Sequence, residues 1–238
     1  MLERIAETSP RFKGRMAGVF QGLEGLTFTF GQVIVLGKLV VFHDASATAA
    51  NILGHQPLFR LGFASCVMGV AFHIVWGFLF YELFKVVNRR LSLLAAFVVL
   101  VACAVQAVTT LLYIAPLSIL TGGASVSAFS VPQLQMLALI FFRLNGYAFD
   151  IYLIFFGLWC VLIGYLIFRS AFLPRILGVL LAIDGLGWML YLSPPLAAHL
   201  FPLIATAAGL AEIPLELWLI VAGVNAQRWR EQAAAMPR

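Results

Sequence analysis

The 238-residue chain is 63% hydrophobic and 11% charged, with a formal net charge of +5. Soluble domains run at about 45–50% apolar and about 25% charged, so one water-soluble core beneath a polar surface is excluded. The basic excess sits in short segments between apolar runs, which speaks for membrane orientation and against nucleic-acid binding.

A spanning helix needs about 20 mostly apolar residues, and six stretches meet that requirement. The first is predicted over Met16–Val41, behind a charged start. Its apolar run is too long for a signal-peptide core and is interrupted by Glu24, so it is read as a retained helix despite the small residues Ala45-Ser46-Ala47. Next comes a short outer segment, Ala47–Leu53, predicted to be helical and capped by Asp44. The second and third spans are predicted over Leu61–Val86 and Ser92–Leu117. The run Gln133–Phe168 is long for one span; its membrane part is placed at Gly146–Phe168, with earlier turns reaching into the outer headgroup region. The fifth span is predicted over Leu173–Leu192, ended by Ser193-Pro194-Pro195, and the sixth over Leu203–Val224.

The fold class that follows is all-α and membrane-integral: a bundle of six transmembrane helices with a short outer interfacial helix. Residues 1–15 form a basic N-terminal segment, 16–225 the transmembrane domain and 226–238 a basic tail. Twelve of the fifteen lysines and arginines fall on one side of this arrangement; Lys38, Arg60 and Arg143 fall on the other. That asymmetry predicts a bacterial-type inner membrane with the basic side, and both ends, in the cytoplasm. Trp229, between Arg228 and Arg230, fits an interfacial anchor.

Ionisable side chains inside a bilayer are costly and need a reason. Counted at 1.5 Å per residue from the basic side, Glu24, His73, Asp184, Glu212 and Glu216 all lie roughly 10–20 Å deep. These five, on four helices, are the candidate ligand-binding residues. Asp150 lies two turns from Arg143 on one side of its helix, and the two are read as a structural pair. Gln106, Thr109 and Thr110 read as interhelical hydrogen-bonding groups, and Gly18, Gly22 and Gly25 as packing contacts. Pro214, between Glu212 and Glu216, removes a backbone bond to the Leu210 carbonyl.

Cys66, Cys103 and Cys160 lie in apolar stretches without metal spacing and read as small buried hydrophobes. His43, His55 and His199 share the outer side, where a metal site with Asp44 is the minor alternative to ordinary interfacial histidines. No H-E-x-x-H pair or nucleophile elbow is present.

The stretch Gly164-Tyr165-Leu166-Ile167-Phe168-Arg169-Ser170, followed by Leu173–Leu181, resembles a bacterial membrane family, the domain of unknown function forty-three eighty-six. Ala49–Leu53, Leu58–Gly62 and Asn88-Arg89 look similar as well, and the likeness runs from about Arg15 to Asn225. The resemblance implies a multi-helix membrane protein and supplies no activity, cofactor or catalytic residue. It also implies histidine where this chain has Asn145, and it does not include Glu24.

Three functions compete. The first is binding or transport of a proton, a cation or a small cationic ligand through the acidic layer. The second is an assembly protein whose polar groups only register its helices. The third is an intramembrane enzyme in which His73 and the acids hold a metal. No cofactor is named by any motif; the expected partners are the lipid bilayer and a small ligand or ion, with no nucleic acid.

Overall fold

The computed structural model describes residues 9–235. All regular structure among them is helical. Six helices are long and apolar enough to cross a membrane: α1 (Pro10–Leu39), α3 (Gln56–Phe84), α4 (Arg89–Thr121), α5 (Val131–Arg169), α6 (Arg175–Met189, carried to Leu192 by a 3₁₀ turn) and α7 (Pro194–Val221). Two shorter α-helices, α2 (Ala45–Gly54) between α1 and α3 and α8 (Ala226–Ala234) after α7, and a 3₁₀ turn at Gly123–Val126 complete the set among the described residues. The protein is thus a multi-pass helical membrane protein, as its composition requires.

The predicted spans recur with shifted ends. The fourth is one unbroken helix of 39 residues, about 58 Å at 1.5 Å per residue, well beyond a hydrocarbon core of about 30 Å. The last begins nine residues before the predicted start and runs through both Pro202 and Pro214 without a break. Proline at the first helical position suits Pro194, because its missing N–H would have no intrahelical partner there. The short helix predicted between the first two spans forms, over Ala45–Gly54, and Asp44 caps it by accepting from the Ala47 N–H at 2.8 Å. A π-helical stretch at Thr29–Val35 interrupts α1; no residue pattern announces it.

Arg4 and Arg238, counted among the basic side above, lie outside the described residues. The basic tail forms α8, capped by Asn225 through the Arg228 N–H at 3.1 Å. Trp229 is docked on protein: its indole donates to the Leu83 carbonyl at 2.9 Å, satisfying an acceptor in the last turn of α3.

The chain divides into two compact units, with the divisions falling inside α1, α3, α4 and α5. The first unit takes the chain up to residue 22, residues 72–103 and residues from 150 onward. Its interior is aromatic: Trp76 meets Trp159 edge-on at 4.6 Å, and Phe80 meets Trp159 at 5.1 Å. The second unit takes residues 23–71 and 104–149. Its core gathers Phe28, Val35, Leu39, Ile52, Phe59, Tyr113 and Phe142. Here α1 and α3 approach closely, because Gly31 leaves room for Cys66 and for the Gly62 carbonyl.

Candidate functional site

In the first unit α5 and α6 touch backbone to backbone. A Cβ on Gly164 would sit 2.6 Å from the Gly178 carbonyl oxygen, and one on Gly157 2.6 Å from that of Gly185. No side chain fits in either gap, so four glycines make this seam, as small residues do between membrane helices. The seam places Cys160 of α5 against α6, where its Cβ lies within 3 Å of any Cβ built on Gly185.

Asp184 stands one residue before Gly185. It has no exposed surface, and neither of its carboxylate oxygens has a hydrogen-bond partner. Its carboxyl adjoins the Cys160 thiol, the Trp188 side chain one turn along α6, and the Glu212 carboxyl of α7. Trp188 donates its indole N–H to Glu212 Oε1 at 3.0 Å. Glu216, one turn further along α7, lies within electrostatic reach of Glu212. Its other neighbour is α1: a Cβ on Gly22 would lie 3.6 Å from Glu216 Oε2. Nearby, Gly18 brings α1 onto α7, since a Cβ there would lie 2.8 Å from that of Leu219. Asp184 and Glu212 therefore lie within electrostatic reach across α6 and α7, and Glu216 lies within reach of Glu212 and beside Gly22 of α1. Both glutamates are half-buried.

The other two candidates have surroundings of their own. Glu24 belongs to the second unit, where it is buried and accepts from Gln106 Nε2 at 2.7 Å. Gln106 thus bridges α4 and α1 as an interhelical group, whereas the Thr110 and Thr109 hydroxyls donate within α4, to the Gln106 and Val105 carbonyls one turn back. His73 is fully buried, stacked on Trp76 at 4.3 Å with Tyr152 edge-on at 5.9 Å. Arg143 is exposed and Asp150 half-buried, two turns apart on α5.

Among the described residues, no three histidine, cysteine, aspartate or glutamate side chains are grouped to hold a metal ion. His43, His55 and His199 are all exposed. The His55 ring meets the Asn51 carbonyl at 2.9 Å, and Asp44 is engaged as a helix cap.

Three polar features were not singled out from the residue pattern. Glu82 is buried and ion-paired to Lys13 at 3.0 Å and to Lys85; the Glu82–Lys85 spacing was the available signal. Gln32, inside the π-helical stretch, donates to Asn145 Oδ1 at 2.6 Å, and Asn145 donates to the Thr109 carbonyl at 2.8 Å. Gln21 is buried with neither amide atom hydrogen-bonded. Its place in the row Lys13, Ala17, Gln21, Glu24 and Phe28, all buried, is a helical face legible from spacing.

The sequence model of a family described as a domain of unknown function, DUF4386, matches residues 16–223. The chain belongs to this family, in agreement with the resemblance noted at the α5–α6 junction. No curated protein and no solved structure matches the chain.

Proposed function

We propose, from the premise that this DUF4386 member is a multi-span membrane protein, that Asp184, Glu212 and Glu216 bind a proton or a small cation within the membrane and serve its passage. One observation carries the reading: Asp184 is completely enclosed, and neither carboxylate oxygen makes a well-formed hydrogen bond, its polar neighbours being the Cys160 thiol, the Trp188 side chain and the Glu212 carboxyl. An ionised carboxylate removed from water without a partner is so costly that it takes up a proton or a counter-ion instead. A ligand of positive charge resolves that cost and also relieves the repulsion between adjoining carboxyls.

The layout suits passage as well as binding. Glu212 and Glu216 stand one turn apart on α7, so a charge held by Asp184 and Glu212 has a second acceptor a helical turn away. Trp188 keeps one oxygen of Glu212 engaged and leaves the other for the ligand. The asymmetry of lysine and arginine supports a bacterial-type inner membrane with the basic side cytoplasmic, which puts Glu216 nearer the cytoplasm than Glu212.

The test is a titration of tryptophan fluorescence in the protein purified in mild detergent, against pH and against NaCl in a choline chloride background. Trp188 touches Glu212, so ligand uptake should change the emission saturably. Trp188→Phe identifies the share of the signal that this residue contributes. The change should vanish in Asp184→Asn and Glu212→Gln while both remain folded and monodisperse. Flux into proteoliposomes, driven by a pH or sodium gradient, should fail in the same variants. An unaltered titration in Asp184→Asn would overturn the reading and leave a helix-registering assembly role.

A further inference from the structure

Within the first unit, the α5–α6 turn and α8 border an open cavity of about 490 Å³. Ser170, Leu173 and Pro174 line it from the turn, Arg175 from the first residue of α6, and Arg228 and Glu231 from α8. Hydrogen bonds fix its two sides to each other. The Ala171 N–H donates to Gln232 Oε1 at 3.0 Å, and the Asn225 N–H donates to the Phe172 carbonyl at 3.1 Å.

Two arginines from separate helices reach this space, and neither is ion-paired to a carboxylate among the described residues. Arg175 lies over the Phe168 ring at 5.7 Å, and Arg228 gives one N–H to the Ala171 carbonyl at 3.4 Å. Both are exposed, so most of the five donors of each guanidinium are open to an outside acceptor. Glu231, the acid on the wall, accepts from the Gln227 amide at 3.0 Å. Two arginines against one glutamate leave the wall net positive.

Depth decides which anion fits. With its closing 3₁₀ turn α6 is 18 residues long, about 27 Å at 1.5 Å per residue, which matches a hydrocarbon core of about 30 Å. A span of that length has both ends at headgroup level, and Arg175 is its first residue. Beyond Arg175, Ile176, Val179 and Ile183 form an exposed apolar row on one face of α6, where acyl chains can lie. Basic pockets between spanning helices recognise anionic headgroups.

We infer that this cavity binds the headgroup phosphate of an anionic phospholipid, with Arg175 and Arg228 as its ligands and Glu231 limiting the affinity. The site stands independently of the role given to Asp184 and its neighbours.

The probe is dioleoylphosphatidylglycerol, titrated into the full-length protein in mild detergent and followed as bound adducts by native mass spectrometry. Dioleoylphosphatidylcholine is the zwitterionic comparison. One saturable phosphatidylglycerol adduct should form, tighter than any phosphatidylcholine adduct and weakened by added salt. Arg175→Gln and Arg228→Gln should each weaken it about fivefold, the effect of one basic group beside an anionic lipid. Arg90→Gln removes the same charge from the start of α4, outside this cavity, and should leave binding unchanged. Glu231→Gln should tighten binding by a similar factor, a gain that a damaged fold does not produce.

An equal loss in Arg90→Gln would reduce the effect to general charge and overturn the site. Binding unaltered by both arginine variants and by Glu231→Gln would overturn it too, as would equal binding of the two lipids. Displacement of the lipid by equimolar glycerol phosphate would overturn the lipid as occupant and leave a soluble-phosphate site.

Discussion

Trp188 and Glu212 are joined across the α6–α7 seam by an indole N–H···carboxylate hydrogen bond of 3.0 Å. The indole is anchored on the helix that carries Asp184, so one contact ties the two acid-bearing helices and orients the carboxyl that faces Asp184. Trp188→Phe keeps an aromatic ring and deletes the donor. Polar contacts between membrane helices are worth about 0.6 kcal/mol on average and rarely above about 1.7 kcal/mol. The variant should therefore fold, with stability lowered by about 1 kcal/mol in a reversible unfolding titration. A loss several times larger would show that the indole supports more than this bond.

The backbone contact between α5 and α6 makes a stronger demand. Replacing Gly157 by alanine places a methyl group against the Gly185 carbonyl and the Trp188 Cβ, both closer than 3 Å. Neither neighbour is the free end of a flexible chain. Overpacking costs typically 1–3 kcal/mol, so Gly157→Ala should unfold about 2 kcal/mol more easily. Its ligand titration should also weaken, because the displaced α6 carries Asp184. A control at Gly25, where an added Cβ meets nothing within 4 Å, should leave stability within about 0.5 kcal/mol.

Lys13 and Glu82 form a buried ion pair between the start of α1 and the end of α3, each less than a tenth exposed. Removing one member strands the other, at a cost of about 3–5 kcal/mol for a fully buried pair. Lys85 also engages Glu82 and keeps contact with solvent. Glu82→Gln should therefore fall near the lower end, about 3 kcal/mol, measured by chemical unfolding. An effect below about 1 kcal/mol would place this pair with ordinary surface salt bridges.

Asn145 separates the two units experimentally. It accepts from Gln32 and donates to the Thr109 carbonyl, holding the π-helical stretch of α1 to α5 and α4 within the second unit. Asn145→Ala removes both bonds and should cost about 1–2 kcal/mol, while the pH and sodium titrations of the Asp184 site keep their midpoints. Coupled changes in those midpoints would show that the second unit takes part in ligand binding. Asn145→His, which keeps a ring nitrogen as donor, should recover part of the lost stability.

Six spans, the short capped helix between the first two and the family were all legible in the residues, because each depends on local quantities. Span length follows from runs of apolar side chains, Asp44 caps a helix three residues away, and the α5–α6 junction carries its likeness in contiguous sequence. Depth counting also drew Asp184, Glu212 and Glu216 into one layer. It placed Glu24 and His73 there too, since depth along a helix axis carries no information about azimuth or neighbours. Tertiary packing decided that Glu24 is engaged by Gln106, that His73 stacks in an aromatic cluster, and that Glu212 lies within electrostatic reach of both Asp184 and Glu216.

The same limit explains Gln21 and the π-helical stretch. A glutamine on an apolar helix looks alike in sequence whether its amide is satisfied or orphaned, and the difference lies in atoms far away along the chain. Composition and spacing by themselves determined that this chain lives in a bilayer and roughly where it crosses. Only the approach of helices at Gly18, Gly157 and Gly185 determined which buried charges meet, because close packing is set by shapes on both sides of a seam and each sequence segment describes only one.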